Sequence, residues 1–81
     1  MDAVDGNAIA GQLQDHFGTD MTTARGTCAH CGTVSVVAEL AVYDRAPGAV
    51  ARCRHCGSVV MVVVDVRGVV EVHHRDFAMA G

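Results

Sequence analysis

The chain has 81 residues, of which 51% are hydrophobic and 19% charged, and its formal net charge is −3 at pH 7. This length fits one small domain whose core alone gives marginal stability, so a metal, disulfides or a partner is expected to stabilise it. The hydrophobic content excludes a disordered chain. Arginine supplies all six basic residues against nine acidic ones, which disfavours nonspecific binding to nucleic acid phosphates.

The first eleven residues contain two aspartates and no basic residue, unlike the basic start of a secretory signal peptide. The longest apolar run covers residues 59–64 and is far too short to span a membrane. We therefore expect a cytoplasmic location, where cysteine thiols stay reduced.

Residues 1–20 are predicted to form an N-terminal helix segment, with the helix itself over residues 5–17, that packs on the remaining domain. Asp5 is a suitable N-cap, and Gly18 is a suitable stop after the last turn. The apolar residues at helical spacing are Ala8, Ile9, Leu13 and Phe17. Such a stripe indicates a helix that covers the apolar face of a sheet.

Residues 21–75 are predicted to form a mostly-β domain of antiparallel hairpins. A loop over residues 19–27 leads into a short strand, and further strands are expected over 34–43, 49–52, 58–66 and 69–74. Pro47-Gly48 fits a type II turn, and Arg67-Gly68 fits a two-residue hairpin loop. Residues 76–81 are predicted to be a loose tail.

Two Cys-x-x-Cys-Gly motifs are the only internal repeat. Cys28 and Cys31 form the first pair, and Cys53 and Cys56 form the second, with 21 residues between the pairs. Two intervening residues allow both sulfurs of a pair to face one point, and each following glycine suits a positive φ. Two such pairs at this spacing are typical of a tetrahedral metal site.

We expect one zinc ion per chain in this site, with a structural role. Four thiolates close the coordination shell, leave no position for water and argue against an enzyme. A rubredoxin-like iron site is an alternative, although rubredoxins surround the iron with aromatic residues and this chain has only three. Two disulfides would require an oxidising compartment, and a thioredoxin-like site needs a βαβ pattern that the sequence lacks.

The histidines and arginines near the motifs each allow a structural interpretation and a functional one. His30 and His55 are expected to be exposed residues of the cysteine turns, and His73 and His74 surface residues at a strand end, with a secondary metal site as the alternative. Three arginines are expected to compensate the negative charge of the site, with a small binding patch as the alternative. They are Arg25, Arg52 and Arg54.

The paired motifs flanked by strands over residues 21–75 resemble a zinc ribbon. The chain also resembles an uncharacterised bacterial family of short zinc-ribbon proteins, and three segments carry this likeness. They are residues 5–11 (DGNAIAG), 20–24 (DMTTA) and 46–48 (APG) before Arg52-Cys53. The resemblance implies a zinc ribbon with a fixed N-terminal segment and implies no activity.

The functional expectation is a small structural-zinc protein that acts as a protein-interaction module or regulatory adaptor. Low charge, valine-rich strands and an amphipathic helix favour contacts with a partner protein or a second copy. A nucleic-acid-binding ribbon in transcription or translation is one alternative, and an iron electron carrier is another. No membrane association and no small-molecule substrate are expected.

Overall fold

The computed structural model describes residues 3–45 and 48–79. Within these residues it contains two antiparallel sheets, one α-helix and two short 3-10 helices, so the predicted mostly-β fold with an N-terminal helix is confirmed. The strands are β1 Arg25–Cys28, β2 Val34–Val36, β3 Ala41–Arg45, β4 Gly48–Arg52, β5 Val59–Val66, β6 Val69–His73 and β7 Phe77–Met79. The turn predicted at Pro47 lies partly outside the described residues. No helix of the described part is long and apolar enough to cross a membrane.

The N-terminal segment begins as a 3-10 helix, Gly6–Ile9, and continues as α1, Ala10–Phe17. Asp5 accepts a hydrogen bond from the backbone N–H of Asn7 at 3.0 Å, and Gly18 ends α1 with φ of 78°. These two boundaries match the predicted cap and stop.

The buried side of this segment faces the rest of the domain. Ile9 and Leu13 are 1% and 0% exposed and belong to the core, and Phe17 packs against it. Ala8 was expected in the same apolar stripe but is exposed, because it lies in the 3-10 turn rather than in the α-helix.

β1, β2 and β7 form a three-stranded sheet in the order β2-β1-β7. The prediction of a loose tail from residue 76 is therefore wrong for residues 77–79, which pair with β1 in antiparallel register. The reason is Phe77, whose ring is fully buried and lies directly over Gly26. A side chain at Gly26 would occupy the space of this ring.

β3, β4, β5 and β6 form a four-stranded sheet in that order. The predicted hairpin at Arg67-Gly68 is confirmed, and both residues have positive φ, 55° and 79°. Such values are typical of a two-residue type I′ turn. Alternate residues of β4 and β5, such as Ala49, Ala51 and Val63, are buried and face the core.

The strand predicted over residues 34–43 is not continuous. A 3-10 helix, Val37–Glu39, interrupts it, so β2 belongs to the three-stranded sheet and β3 to the four-stranded sheet. Val37 is fully buried, its N–H donates to Ala24 O at 3.0 Å, and the N–H of Ala38 donates to Thr22 O at 2.9 Å. We call residues 37–39 the junction, because here the chain passes from one sheet to the other.

The core lies between the N-terminal segment and the two sheets. It includes one cysteine from each motif, which places the candidate metal site at the margin of the core. Its buried members are Ile9, Leu13, Cys28, Val37, Leu40, Val42, Ala49, Ala51, Cys53, Val60, Met61, Val63 and Phe77.

Candidate metal centre

Each Cys-x-x-Cys-Gly motif forms a tight turn between two strands. The first cysteine turn, Cys28–Gly32, joins β1 to β2, and the second cysteine turn, Cys53–Gly57, joins β4 to β5. Gly32 and Gly57 both have φ of 78°, which confirms the expected need for glycine.

The two turns have the same backbone hydrogen bonds. The glycine N–H donates to the carbonyl of the first cysteine at 2.8 Å in both turns. The first cysteine N–H donates to a carbonyl two residues beyond the second cysteine at 2.9 Å, in Thr33 and in Ser58. The repeated sequence therefore produces a repeated local structure.

The four sulfurs converge on one point. Their Sγ atoms all lie within 4.8 Å of one another, and the cross-turn pairs Cys28–Cys56 and Cys31–Cys53 are each separated by 3.7 Å. A tetrahedron with metal–sulfur bonds of about 2.3 Å has sulfurs about 3.8 Å apart. The donor set therefore fits a tetrahedral metal ion, and the cysteines are free rather than joined in disulfides.

Burial divides the cysteines into two types. Cys28 and Cys53, the first of each pair, are 2% and 3% exposed, whereas Cys31 and Cys56 are exposed. One side of the centre therefore contacts the core and the other side faces solvent. An ion at this position would join the two sheets, because each sheet supplies two sulfurs.

The environments of the thiols differ in the metal-free state. Burial raises the pKa of Cys28 to about 11. Hydrogen bonds from the hydroxyl and N–H of Thr33 lower the pKa of Cys31, and equivalent bonds from Ser58 lower the pKa of Cys56 to about 6. A bound divalent ion would deprotonate all four sulfurs, since metal coordination requires thiolates.

Thr33 and Ser58 were not singled out from the sequence. Each follows the glycine of its cysteine turn, and the Thr33 Oγ1 atom lies 3.2 Å from the Cys31 Sγ atom. The signal was present, because a hydroxyl residue occurs at the same place after both motifs. Hydroxyl groups at these positions stabilise thiolate charge on the exposed side of the centre.

Two of the three predicted arginines are held by backbone carbonyls beside the second cysteine turn. Arg52 Nη1 donates to Gly57 O at 2.9 Å, and the guanidinium lies 5.8 Å from the centroid of the Tyr43 ring. Arg54 Nε donates to Glu39 O at 2.8 Å and so connects this turn to the junction. Arg25 is exposed at the start of β1.

The histidines do not join the cysteines. His30 is exposed and its Nε2 lies 3.4 Å from Asp76 Oδ2, while His55 is exposed on the second cysteine turn. His73 lies 3.7 Å from Glu71, and the His74 ring lies near Phe17. Among residues 3–45 and 48–79, the four cysteines are the one group of three or more potential ligands.

Comparison with known proteins gives a family but no activity. Residues 1–80 match a family of unknown function (DUF6510). No curated protein matches the chain, and no solved structure does. The expected likeness to an uncharacterised family is thus confirmed over nearly the whole sequence, and the chain belongs to the family of unknown function DUF6510.

Proposed function

We propose that this chain is a bacterial, cytoplasmic zinc-ribbon protein whose single zinc ion is structural, and that it acts by binding another protein. The observation that carries the proposal is the convergence of four sulfurs from two different sheets, within 4.8 Å of one another. Zinc bound there would join the sheets and supply much of the folding free energy, about 10 kcal/mol or more.

A structural role is favoured over catalysis by the number of ligands. Catalytic zinc sites use three protein ligands and keep one position for water or substrate, whereas four cysteines complete the tetrahedron. This supports the proposal that the protein is not an enzyme. The mechanism of such a protein is to hold a surface in a fixed shape.

Zinc is favoured over iron by the surroundings of the centre. Four thiolates bind either metal, so the sulfur geometry alone does not distinguish them. Rubredoxin-like sites lie in an aromatic core, and this chain has two phenylalanines, one tyrosine and no tryptophan. Phe77 is the one aromatic residue of the described core that is fully buried.

A protein partner is favoured over nucleic acid by charge and by the arginine contacts. Four zinc-bound thiolates lower the net charge from −3 to about −5. Arg52 and Arg54 donate to backbone carbonyls of their own chain, which supports a role in fixing the second cysteine turn. A phosphate-binding surface would need more cations than these.

Native mass spectrometry with and without a strong chelator tests the metal. We expect one zinc per chain, lost together with the compact charge states. A red, iron-loaded protein would favour electron transfer instead. A metal-free mass four hydrogens lower would indicate two disulfides and would contradict the proposal.

Capture from a lysate of the source organism tests the partner. Immobilised zinc-loaded protein should retain a protein that survives nuclease treatment. The matched control is Cys53→Ser, which should retain nothing because it lacks the folded surface. Capture that disappears with nuclease would favour a nucleic-acid-binding ribbon.

A further inference from the structure

We propose that the open edge of β2 is the docking site for an extended, acidic peptide segment of a partner protein. The proposal rests on the proposed function, since it names the chemistry of the partner that a protein-binding module would take. Three observations carry it, namely the direction of the β2 backbone groups, the shape beside them and the charges at both ends.

β2 directs hydrogen-bonding groups away from its own sheet. Ser35 pairs with Gly26, and the flanking bonds run from Cys28 N–H to Thr33 O and from Val37 N–H to Ala24 O. Because antiparallel pairing alternates, the intervening residues of β2 point their N–H and C=O groups outward. These residues are Val34 and Val36.

Most of these outward groups are unpaired. The Glu39 carboxylate accepts the N–H of Val36 at 3.0 Å. The register turns the N–H and C=O of Val34 and the C=O of Val36 away from the β1–β2 ladder, and outside that ladder no hydrogen bond among residues 3–45 and 48–79 uses them. Val34 is 60% exposed, so the start of this edge is open to a partner strand.

In the four-stranded sheet, by contrast, both edges are contacted by other parts of the chain. Val4 pairs with Val42 through bonds of 2.9 and 2.7 Å and so extends the sheet beyond β3. His16 Nδ1 lies 3.2 Å from the carbonyl of Val70 on the β6 side. Proteins usually cover or shorten exposed edges, so an edge with open groups is a candidate for strand addition.

Two adjoining clefts follow the edge of β2. Their volumes are 280 and 260 Å³, and both are lined by Val34, Ser35 and Glu39. The first extends to Arg54 and His55 on the second cysteine turn. The second extends to Arg25 and Val36, so together they form a trough along the strand.

An arginine lies at each end of the trough, which favours acidic groups at the two ends of an occupant rather than along its middle. Arg25 lies at one end and Arg54 at the other, both are exposed, and neither takes part in an ion pair within the described residues. Glu39 is the one carboxylate in the lining, and its Oε1 already accepts from Val36. Cys53 of the metal centre lines the first cleft, and Arg54 Nε donates to Glu39 O while its guanidinium stays exposed. An extended peptide with acidic ends and apolar residues over Val34 fits this pattern.

A second copy of the chain fits less well. Two-fold antiparallel pairing of β2 with itself would place the Val34 end of one copy beside the Val36 end of the other. Arg54 lies at the first end and Arg25 at the second, so each arginine would meet an arginine of the other copy. Like charges in such positions disfavour pairing.

Titration of the zinc-loaded, isotope-labelled protein with a synthetic peptide tests the site by nuclear magnetic resonance. The probe is Asp-Asp-Val-Thr-Val-Thr-Asp-Asp, and the control replaces every Asp with Lys. We expect the acidic peptide to shift the amide signals of residues 33–36 and to slow hydrogen exchange of the Val34 N–H. The basic peptide should leave these signals unchanged.

Two pairs of variants distinguish backbone pairing at the β2 edge from nonspecific electrostatic attraction of the peptide. Val34→Pro removes the outward N–H without removing a β1–β2 bond and should abolish binding, whereas Val34→Thr should retain it. Arg25→Glu should weaken binding about fivefold, and Arg75→Glu, a matched charge change outside the trough, should change it less than about twofold.

The proposal is overturned if residues 33–36 do not shift at about 1 mM peptide, which corresponds to a very weak complex. Equal binding of the basic peptide, or tighter binding of an oligonucleotide at the same residues, would also overturn it. If zinc-loaded protein still captures a nuclease-resistant partner while Val34→Pro does so equally, the docking site is wrong but the proposed function stands. If native mass spectrometry finds no zinc bound to the chain, the proposed function itself is wrong.

Discussion

The two cysteine turns share a backbone but differ in what supports them. The first turn is held by the β7 side, where Ala29 N–H donates to Asp76 O at 2.9 Å and His30 approaches the Asp76 carboxylate. The second turn is held by two arginines: Arg52, at the end of β4, donates to Gly57 O, and Arg54, within the turn, donates to Glu39 O in the junction. The first turn is therefore stabilised by a segment distant in sequence, and the second turn by arginine side chains in or next to the turn.

The sheets behind the turns differ in the same way. β1, β2 and β7 have four, three and three residues, and β7 reaches β1 from the far end of the chain. β5 has eight residues and joins β4 and β6 through local turns. Closing a long loop costs more conformational entropy than closing a hairpin, so the three-stranded sheet should depend more on the metal.

The largest effect should follow from loss of a single metal ligand. Cys53→Ser should unfold the whole domain at 25 °C, because structural zinc contributes about 10 kcal/mol and a small domain has a net stability of about 5–15 kcal/mol. Cys28→Ser in the other turn should have the same effect, since one ion serves both sheets. Circular dichroism with and without chelator measures the loss.

The control for this prediction is His55→Ala, which changes an exposed residue of the same turn and should leave the spectrum unchanged. A Cys53→Ser protein that stays folded without metal would contradict the structural role of zinc. If only the residues of β1, β2 and β7 lose their amide signals in a nuclear magnetic resonance spectrum of the variant, the difference between the two sheets is larger than we expect.

Phe77→Ala should have the next largest effect. The ring is fully buried in the three-stranded sheet, and loss of a buried aromatic ring costs about 3–5 kcal/mol. Urea denaturation of the zinc-loaded protein measures the change in the free energy of unfolding. A cost below about 1 kcal/mol would show that β7 is dispensable, as a loose tail would be.

Phe17→Ala is the matched control, because this ring is only partly buried on α1. It should cost less than Phe77→Ala. Should Phe77→Ala fail to fold, Phe77→Leu keeps most of the apolar volume and is expected to cost less than about 1.5 kcal/mol.

The sequence was sufficient for features whose signal is local. Cysteine spacing predicted which four residues converge, and Arg67-Gly68 and Gly18 predicted a hairpin and a helix end. In each case the residues that determine the structure lie within a few positions of one another.

Two of the three wrong predictions, the continuous strand over 34–43 and the loose tail, have a common cause, which is contact between distant parts of the chain. Residues 34–43 alternate as a strand would, but Val37 is buried by the core and its N–H bonds to Ala24, so a 3-10 turn replaces the strand. Residues 77–79 are too few to predict a strand alone, and they form one because β1 is available. Tertiary contacts override local preference at both places.

The resemblance segments also gain a physical meaning from the junction. Gly6, in residues 5–11, packs directly on the Val37 carbonyl. Thr22 and Ala24, in residues 20–24, accept the N–H groups of Ala38 and Val37. Both segments therefore support the passage between the sheets rather than the metal centre itself, a contact that the predicted role of residues 5–11 as a helix start did not include.

Arg54→Met should cost about 1 kcal/mol in urea denaturation, since it removes the hydrogen bond to Glu39 O while keeping an unbranched side chain. This bond is the side-chain connection from the second cysteine turn to the junction. Arg25→Met is the control and should change stability by less than about 0.5 kcal/mol, because Arg25 is also exposed but its side chain has no hydrogen bond within residues 3–45 and 48–79 that matches the one from Arg54. Equal costs for both variants would mean that Arg54 does not stabilise the second turn.

The smallest effect should be a gain in stability at the β5–β6 hairpin. Arg67 has φ of 55°, which a non-glycine residue adopts at a cost, and asparagine tolerates this region better in type I′ turns. Arg67→Asn should therefore raise the free energy of unfolding by about 0.5 kcal/mol, whereas the β-branched variant Arg67→Val should lower it. Thermal unfolding of the zinc-loaded variants measures both changes in stability.

Because the turn lies in the four-stranded sheet, hydrogen exchange in Arg67→Asn should slow in β5 and β6 and stay unchanged in β1 and β2. Slower exchange in both sheets would mean that they open as one unit, and the contrast between them would then lie in their contacts and not in their stability.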